Sequence, residues 1–170
     1  MKKYILALCI LFSNGIFAQK QITQKEVIKF LKGTEDALIK LTREIPEDKY
    51  DWRPNESVRD IGQIVLHIAG GNYYILMNLG IAPPSEINLM SLESIRGKDN
   101  VITTLSASFK HIYDNLLRIK DKDLGAKVKF PFGEMTKQGA LLQLVDHTGE
   151  HKGQLIAYAR SIGVAPPWSK

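Results

Sequence analysis

The chain reads as an all-α protein folded into a four-helix bundle, and three observations lead there. Four segments of roughly twenty residues repeat apolar side chains every three or four positions, the period of a helix with one buried face. Pro- and Gly-punctuated connections separate them, and no alternating run is long enough to build a sheet. A composition of 44% hydrophobic and 24% charged residues over 170 positions suits one domain with a sizeable core. The connections are long for a plain series of hairpins, so at least one is expected to cross an end of the bundle.

Residues 1–18 stand outside that fold. Lys2-Lys3 form a basic start, Tyr4 to Phe12 an apolar run, and Ser13 to Ala18 a polar stretch ending in a small residue, the pattern of a cleaved secretory signal. The apolar run is about nine residues, too short for a permanent membrane span. Cleavage after Ala18 would leave one domain of residues 19–170, beginning at Gln19, in the periplasm or secreted. Cys9, the only cysteine, would leave with the leader, so the domain needs neither thiol nor disulfide. Leu8 is too bulky for the position before a lipid-attached cysteine. The formal charge of +5 includes Lys2 and Lys3, which leaves about +3 interspersed with acidic residues; this is no nucleic-acid footprint.

The first helix is expected from Thr23 to about Glu44. Thr23 with Glu26 three later spells a capping box, and Val27, Phe30, Leu31, Leu38 and Leu41, with Ala37 and Ile45 beside them, draw the buried face. A polar connection follows, with Pro46 and Pro54 and the aromatic Trp52, which is expected to pin the loop to the bundle. Ser57 reads as the cap of the second helix, with Asp60 at its third position and Val58, Ile61, Ile64, Val65, Ile68, Leu76 and Leu79 facing inward. His67 sits on the flank of that stripe, and Gly70 and Gly71 leave space beside it. Gly80 and Pro83-Pro84 end this helix, and Ile87, Leu89, Met90 and Leu92 are expected to pack the next connection across an end of the bundle.

The third helix is expected over about 100–120, with Val101, Leu105, Phe109, Ile112, Leu116 and Ile119 inward. His111 lies beside Asn115 away from the centre of that stripe and reads as solvated. Lys127 to Phe132 alternates as a hairpin arm ending in a Pro131-Phe132-Gly133 turn, and Thr136 caps the last helix.

That last helix carries the chemistry. Leu141, Leu144, Val145, Thr148, Leu155, Ile156, Ala159 and Ile162 form its stripe, and Gly163 with Pro166-Pro167 ends it. His147 and His151 are four apart, about 40° around the helix, so both imidazoles leave the same side on successive turns. Two ligands of one metal ion need that geometry. His151 falls inside the stripe and His147 at its border; Gly149 and Gly153 suggest room nearby for a backbone or a ligand. The bland alternative is one buried, hydrogen-bonded histidine and one exposed. With His67 on the second helix, three imidazoles from facing elements amount to an open, catalytic-type divalent site. Imidazole suits zinc, nickel, iron and copper alike, so the sequence does not choose the ion.

Tyr50-Asp51-Trp52-Arg53-Pro54, Ser57 to Gly62 leading to His67, His147-Thr148-Gly149-Glu150-His151-Lys152-Gly153-Gln154 and Ala157 to Pro167 together resemble the DinB-like (DinB/YfiT) four-helix bundles across nearly the whole mature chain. The resemblance implies an up-down-down-up bundle, frequently a homodimer, in which His67, His147 and His151 match the family's three metal ligands. It also implies a small-molecule substrate, since characterised relatives include metal-dependent transferases and isomerases that use low-molecular-weight thiols. An export leader departs from that pattern, because such thiols are cytoplasmic.

Three functional expectations follow. The first is a metal-dependent enzyme of hydrolase or thiol-transferase type, whose ion (zinc, nickel or iron) polarises a water or a thiol. Asp146 and Glu150 point away from His151 on the helical wheel and read as surface residues. The second is a metallopeptidase, since His147 to His151 spells H-x-x-E-H; that chemistry needs a further acidic ligand downstream, and no Asp or Glu follows His151. The third is an envelope protein that holds a metal or small ligand without turnover.

Overall fold

In the computed structural model, which describes residues 23–169, Thr23 opens the first helix through reciprocal bonds with Glu26. The Glu26 amide donates to Thr23 Oγ1 at 3.3 Å, and the Thr23 amide donates to Glu26 Oε2 at 2.9 Å. The leader, Cys9 and the cleavage position lie outside the described residues. Helix α1, Gln24–Glu44, buries Val27, Leu31, Thr34, Leu38 and Leu41, with Ile45 just beyond it. Phe30, expected on this face, is 60% exposed. It lies one residue, about 100°, from Leu31, and the alternating three- and four-residue spacing passes through Thr34 instead. The Thr34 hydroxyl is satisfied inside the core by donating to the Phe30 carbonyl at 3.4 Å.

Helix α2 is Ile61–Asn78, and its cap is Asp60 rather than Ser57. Asp60 Oδ1 accepts the Gln63 amide at 2.7 Å while Gln63 Oε1 accepts the Asp60 amide at 3.0 Å. Arg53 donates to the other carboxylate oxygen at 3.2 Å, so the buried Asp60 is charge-paired as well. Ser57 is used locally: its amide and hydroxyl both donate to Asn55 Oδ1, closing an Asx turn before the helix begins. Val58 therefore lies ahead of the helix and is only half-buried.

Helix α3, Lys98–Asn115, tightens into a 3-10 turn at Leu116–Arg118 and buries the whole expected stripe from Val101 to Ile119. Strands β1, Lys127–Phe130, and β2, Gly133–Thr136, form the hairpin around Pro131-Phe132, with Phe130 opposite Gly133. Gly133 has φ 146°, where a side chain would be strained. Thr136 Oγ1 accepts the Gly139 amide at 3.0 Å and caps α4, Lys137–Ser161, which ends before Gly163 at φ 81°.

The hydrogen bonds fix the direction of each helix. Lys98, at the start of α3, donates to the carbonyls of Arg43 and Ile45 at the end of α1, and Gln24 at the start of α1 donates to the Ile119 carbonyl. Those two helices are antiparallel. The Gly62 amide at the start of α2 donates to the Tyr50 carbonyl and the Tyr50 hydroxyl to the Thr42 carbonyl near the end of α1, where α3 also starts; Asn72 then donates to Ser108 at 3.0 Å farther along both, so α2 and α3 are parallel. Trp52, just before α2, meets Tyr158 near the end of α4 at 5.5 Å between centroids, which sets α4 against α2. The order is up-down-down-up, and α2 packs between α3 and α4.

Parallel neighbours require a connection that returns the length of the bundle. The segment from Gly80 to Gly97 therefore runs along the flank of α2 instead of across an end: Leu92 is buried and its Cδ2 comes within 3.6 Å of where a side chain on Gly70 would begin. Ile87 and Leu89 are half-buried with it, whereas Met90, expected inside, is 95% exposed. Leu89 before it and Leu92 two residues after it take the apolar contacts.

Candidate metal centre

His67 leaves the middle of α2 toward α4, and His147 and His151 leave successive turns of α4 toward α2. The rings meet: centroids lie 5.1 Å apart for His67 and His147, and 4.6 Å for each of the other two pairs. One ring nitrogen from each residue lies within 4.8 Å of one from both others, and Nε2 of His67 and of His147 are 3.3 Å apart. All three side chains are half-buried.

Two oxygen acceptors hold two of the rings by their outer nitrogen. His67 Nδ1 bonds Glu93 Oε1 at 2.9 Å, and His151 Nδ1 bonds Gln154 Oε1 at 2.8 Å. A carboxylate or amide oxygen is acceptor only, so each Nδ1 carries the proton and each Nε2 keeps its lone pair. Glu93 is itself held, because Arg59 Nε donates to its second oxygen at 2.9 Å. Burial raises the Glu93 pKa, but the bonds from Arg59 and His67 outweigh this and keep it below the ordinary value. Gln154 in turn reaches the Tyr158 hydroxyl at 3.5 Å, the tyrosine against which Trp52 packs. Trp52 thus does pin its loop.

The same enclosure favours the neutral form of His67 and His147. Burial, then the neighbouring His151 and His67, then Arg59 push the His147 pKa down to about 4. Burial and Arg59 lower that of His67, against the opposing pull of Glu93. Neutral imidazoles with converging lone pairs are the form in which histidine binds a cation. His147 reaches far enough into the bundle that its Nδ1 is buried without a hydrogen-bond partner among the described residues. The reason is Gly71. A β-carbon there would stand 2.2 Å from His147 Cε1, so the missing side chain is the recess that admits the ring. The glycine serves His147 across the bundle and not His67 beside it. Gly149 and Gly153, by contrast, face open space with nothing within 4 Å of their β-positions.

The donor set fits a divalent ion: three imidazole nitrogens on two facing helices, oriented from behind by a carboxylate and an amide. A model of the DinB family matches residues 19–170. The chain belongs to the DinB family.

Among solved structures, a DinB-like protein from Bacillus cereus ATCC 10987 matches at 18% identity and TM-score 0.63, over 84% of this chain and 95% of that one. A DinB-family member from Exiguobacterium sibiricum 255-15 matches at 20% identity and TM-score 0.61, over 82% and 91%. YfiT from Bacillus subtilis, described as a probable metal-dependent hydrolase with an unusual four-helix bundle topology, matches at 14% identity and TM-score 0.63, over 86% and 93%. These likenesses speak for the fold. No curated protein matches the chain.

In this DinB chain, Asp146 and Glu150 are exposed and take no part in the site, in line with their wheel positions. The supporting residues that sequence reading missed are Glu93 and Gln154. Gln154 had a signal, since it stands three after His151 on one helix face. Glu93 had none, because it comes from the connection along α2. His111, read as solvated, is half-buried against Tyr73 at 5.3 Å between centroids, with Nε2 buried and unpaired among the described residues. It stays outside the cluster and bonds Asn115, the neighbour the sequence suggested.

Proposed function

We propose that this DinB protein holds one divalent metal ion through His67, His147 and His151 and uses it as a hydrolase on a small molecule. The observation that carries the reading is the convergence of three ring nitrogens within 4.8 Å, two of them oriented by Glu93 and Gln154. Such an ion supplies Lewis acidity, which makes a water nucleophilic near neutral pH. The chain's own residues prepare the site: Glu93 and Gln154 keep two imidazoles in one tautomer, and Gly71 seats the third. A cavity of about 370 Å³ opens beside His67 and His147 and offers a substrate access on that side. The shared fold of YfiT, with the hydrolase description that protein carries, supports the reaction class.

Zinc, nickel and iron all suit imidazole, so the experiment begins with elemental analysis of purified protein. About one ion per chain is expected, with loss of that ion in each of His67→Ala, His147→Ala and His151→Ala while helical circular dichroism persists. Stoichiometric metal surviving in all three variants would refute the assignment. We further propose, from Lys2-Lys3, the Tyr4 to Phe12 run and Ala18, that the chain is exported and begins at Gln19 once mature. Intact mass of the native protein tests this, and retention of Met1 would exclude it.

A further inference from the structure

We propose that the cavity beside His67 and His147 is the seat of an uncharged, ring-sized apolar group, so that the substrates of this site are small molecules with a neutral aromatic or compact aliphatic end. The inference rests on reading the histidine cluster as the reacting centre and names its substrate class. At about 370 Å³ the cavity lies at the small end of ligand sites, which span roughly 300 to 1,000 Å³. Its walls are Tyr74 and Ile75 of α2, Leu89 of the long connection and Phe132 at the hairpin tip; His67 and His147 stand at one side.

Away from the histidine nitrogens, no charged side chain of the cavity is free to recognise a charge. Among the described residues no Lys or Arg lines the cavity, and its one ionised wall residue, Glu93, has one oxygen engaged by His67 and the other by Arg59. An ionic group seated among the apolar walls, away from the histidine nitrogens, would lose its hydration without gaining a counter-ion from a side chain. Gln143, in contrast, has a side-chain amide with no intramolecular hydrogen bond among the described residues. The NH2 group and the carbonyl oxygen of a neutral amide suit a carbonyl or amide group on the ligand.

Phe132 supplies the second, independent argument. A two-residue hairpin loop calls for turn-forming residues, and nothing in its conformation calls for a large aromatic. Yet this ring is 65% exposed at the rim of the cavity. It is also fixed in place: Phe132 stacks on Phe130 with centroids 5.1 Å apart and planes 23° apart, and the buried Phe130 meets Tyr74 edge-on at 6.2 Å. A rigid, exposed aromatic beside an apolar cavity is a surface that a ring-bearing ligand would cover.

The test uses the metal-free full chain, so that no ion competes for the probe, and titrates three compounds of one size by NMR: phenylacetamide, phenylacetate and 2-phenylethylammonium. Phenylacetamide should bind about tenfold or more tighter than either charged analogue. Phe132→Ala, at an exposed position, should weaken it about tenfold, and Leu89→Trp should abolish it by filling the space. Phe30→Ala, an exposed aromatic on the far helix α1, should leave binding unchanged. Equal affinity for the three probes, or wild-type affinity in both Phe132→Ala and Leu89→Trp, would overturn the proposal. Metal content measured separately on wild-type protein keeps the two readings apart: ion bound but probe rejected defeats this inference alone, while probe bound without an ion at the histidines defeats the metal reading alone.

Discussion

A β-carbon on Gly71 would stand 2.2 Å from Cε1 of His147 and 2.7 Å from its Nδ1, so the shape of α2 at one residue decides where an imidazole of α4 can sit. No real side chain tolerates such contacts, and the ring must turn or withdraw. Gly71→Ala should thus keep or raise helical stability, by up to about 1 kcal/mol from propensity, while weakening metal binding tenfold or more. Chelator competition and a thermal melt on the same protein check both halves; unchanged metal affinity would show that the recess does not matter.

The outer bonds of the cluster make a second prediction. Removing the acceptor behind a ligating histidine typically costs 10- to 100-fold in metal affinity, about 1.4 to 3 kcal/mol. Glu93→Ala and Gln154→Ala should each fall in that range, because each frees a ring that is now held at 2.9 Å or 2.8 Å. Asp146→Ala, on the exposed side of α4, should change nothing. Dissociation constants for zinc and nickel decide the matter, and equal losses in all three variants would point to net charge instead of orientation.

The start of α2 can be read from stability alone. Asp60 caps the helix, accepts from Arg53 and is buried, so Asp60→Ala should cost on the order of 2 kcal/mol. Ser57→Ala, in an exposed Asx turn, should stay within about 0.5 kcal/mol. Urea denaturation of the two variants gives the comparison, and a reversed order would restore Ser57 as the cap.

His111 makes the acid side of the stability curve informative. Burial beside Tyr73 lowers its pKa below the ordinary 6.5, with Asp114 opposing. The unfolded chain then takes the proton first as pH falls, so the contribution is fully present above about 6.5 and is lost through the interval down to the lowered folded value. His111→Phe removes this titration and should flatten the decline over that interval. Urea melts of both proteins at pH 7.5 and 5.5 measure it, and parallel declines would mean the ring titrates normally. Metal content should be the same in both, since His111 lies outside the cluster.

What could be read in advance, and what could not, divides along range. Period, caps and breakers are local: Thr23 with Glu26, the stripe from Val101 to Ile119, Thr136 and Gly163 all act through neighbours within about one turn, so four helices, the hairpin and the adjacency of His147 and His151 were legible residue by residue. Two readings fail for lack of tertiary information: Ser57 and Asp60, three apart, are both good caps, and Phe30 stands one position from Leu31 on the wheel; burial of Asp60 beside Arg53 and the exact face of α1 are settled only by what packs against them. The rest was decided by tertiary structure. Antiparallel packing of α4 on α2 brings His67 to His147 across 80 positions of sequence, the parallel run of α2 and α3 forces the return segment that delivers Glu93, and Gly71 opens a recess for a ring on another helix. Sequence carries the period of each helix because that period is a property of the chain with itself; the site is a property of surfaces that meet only after folding.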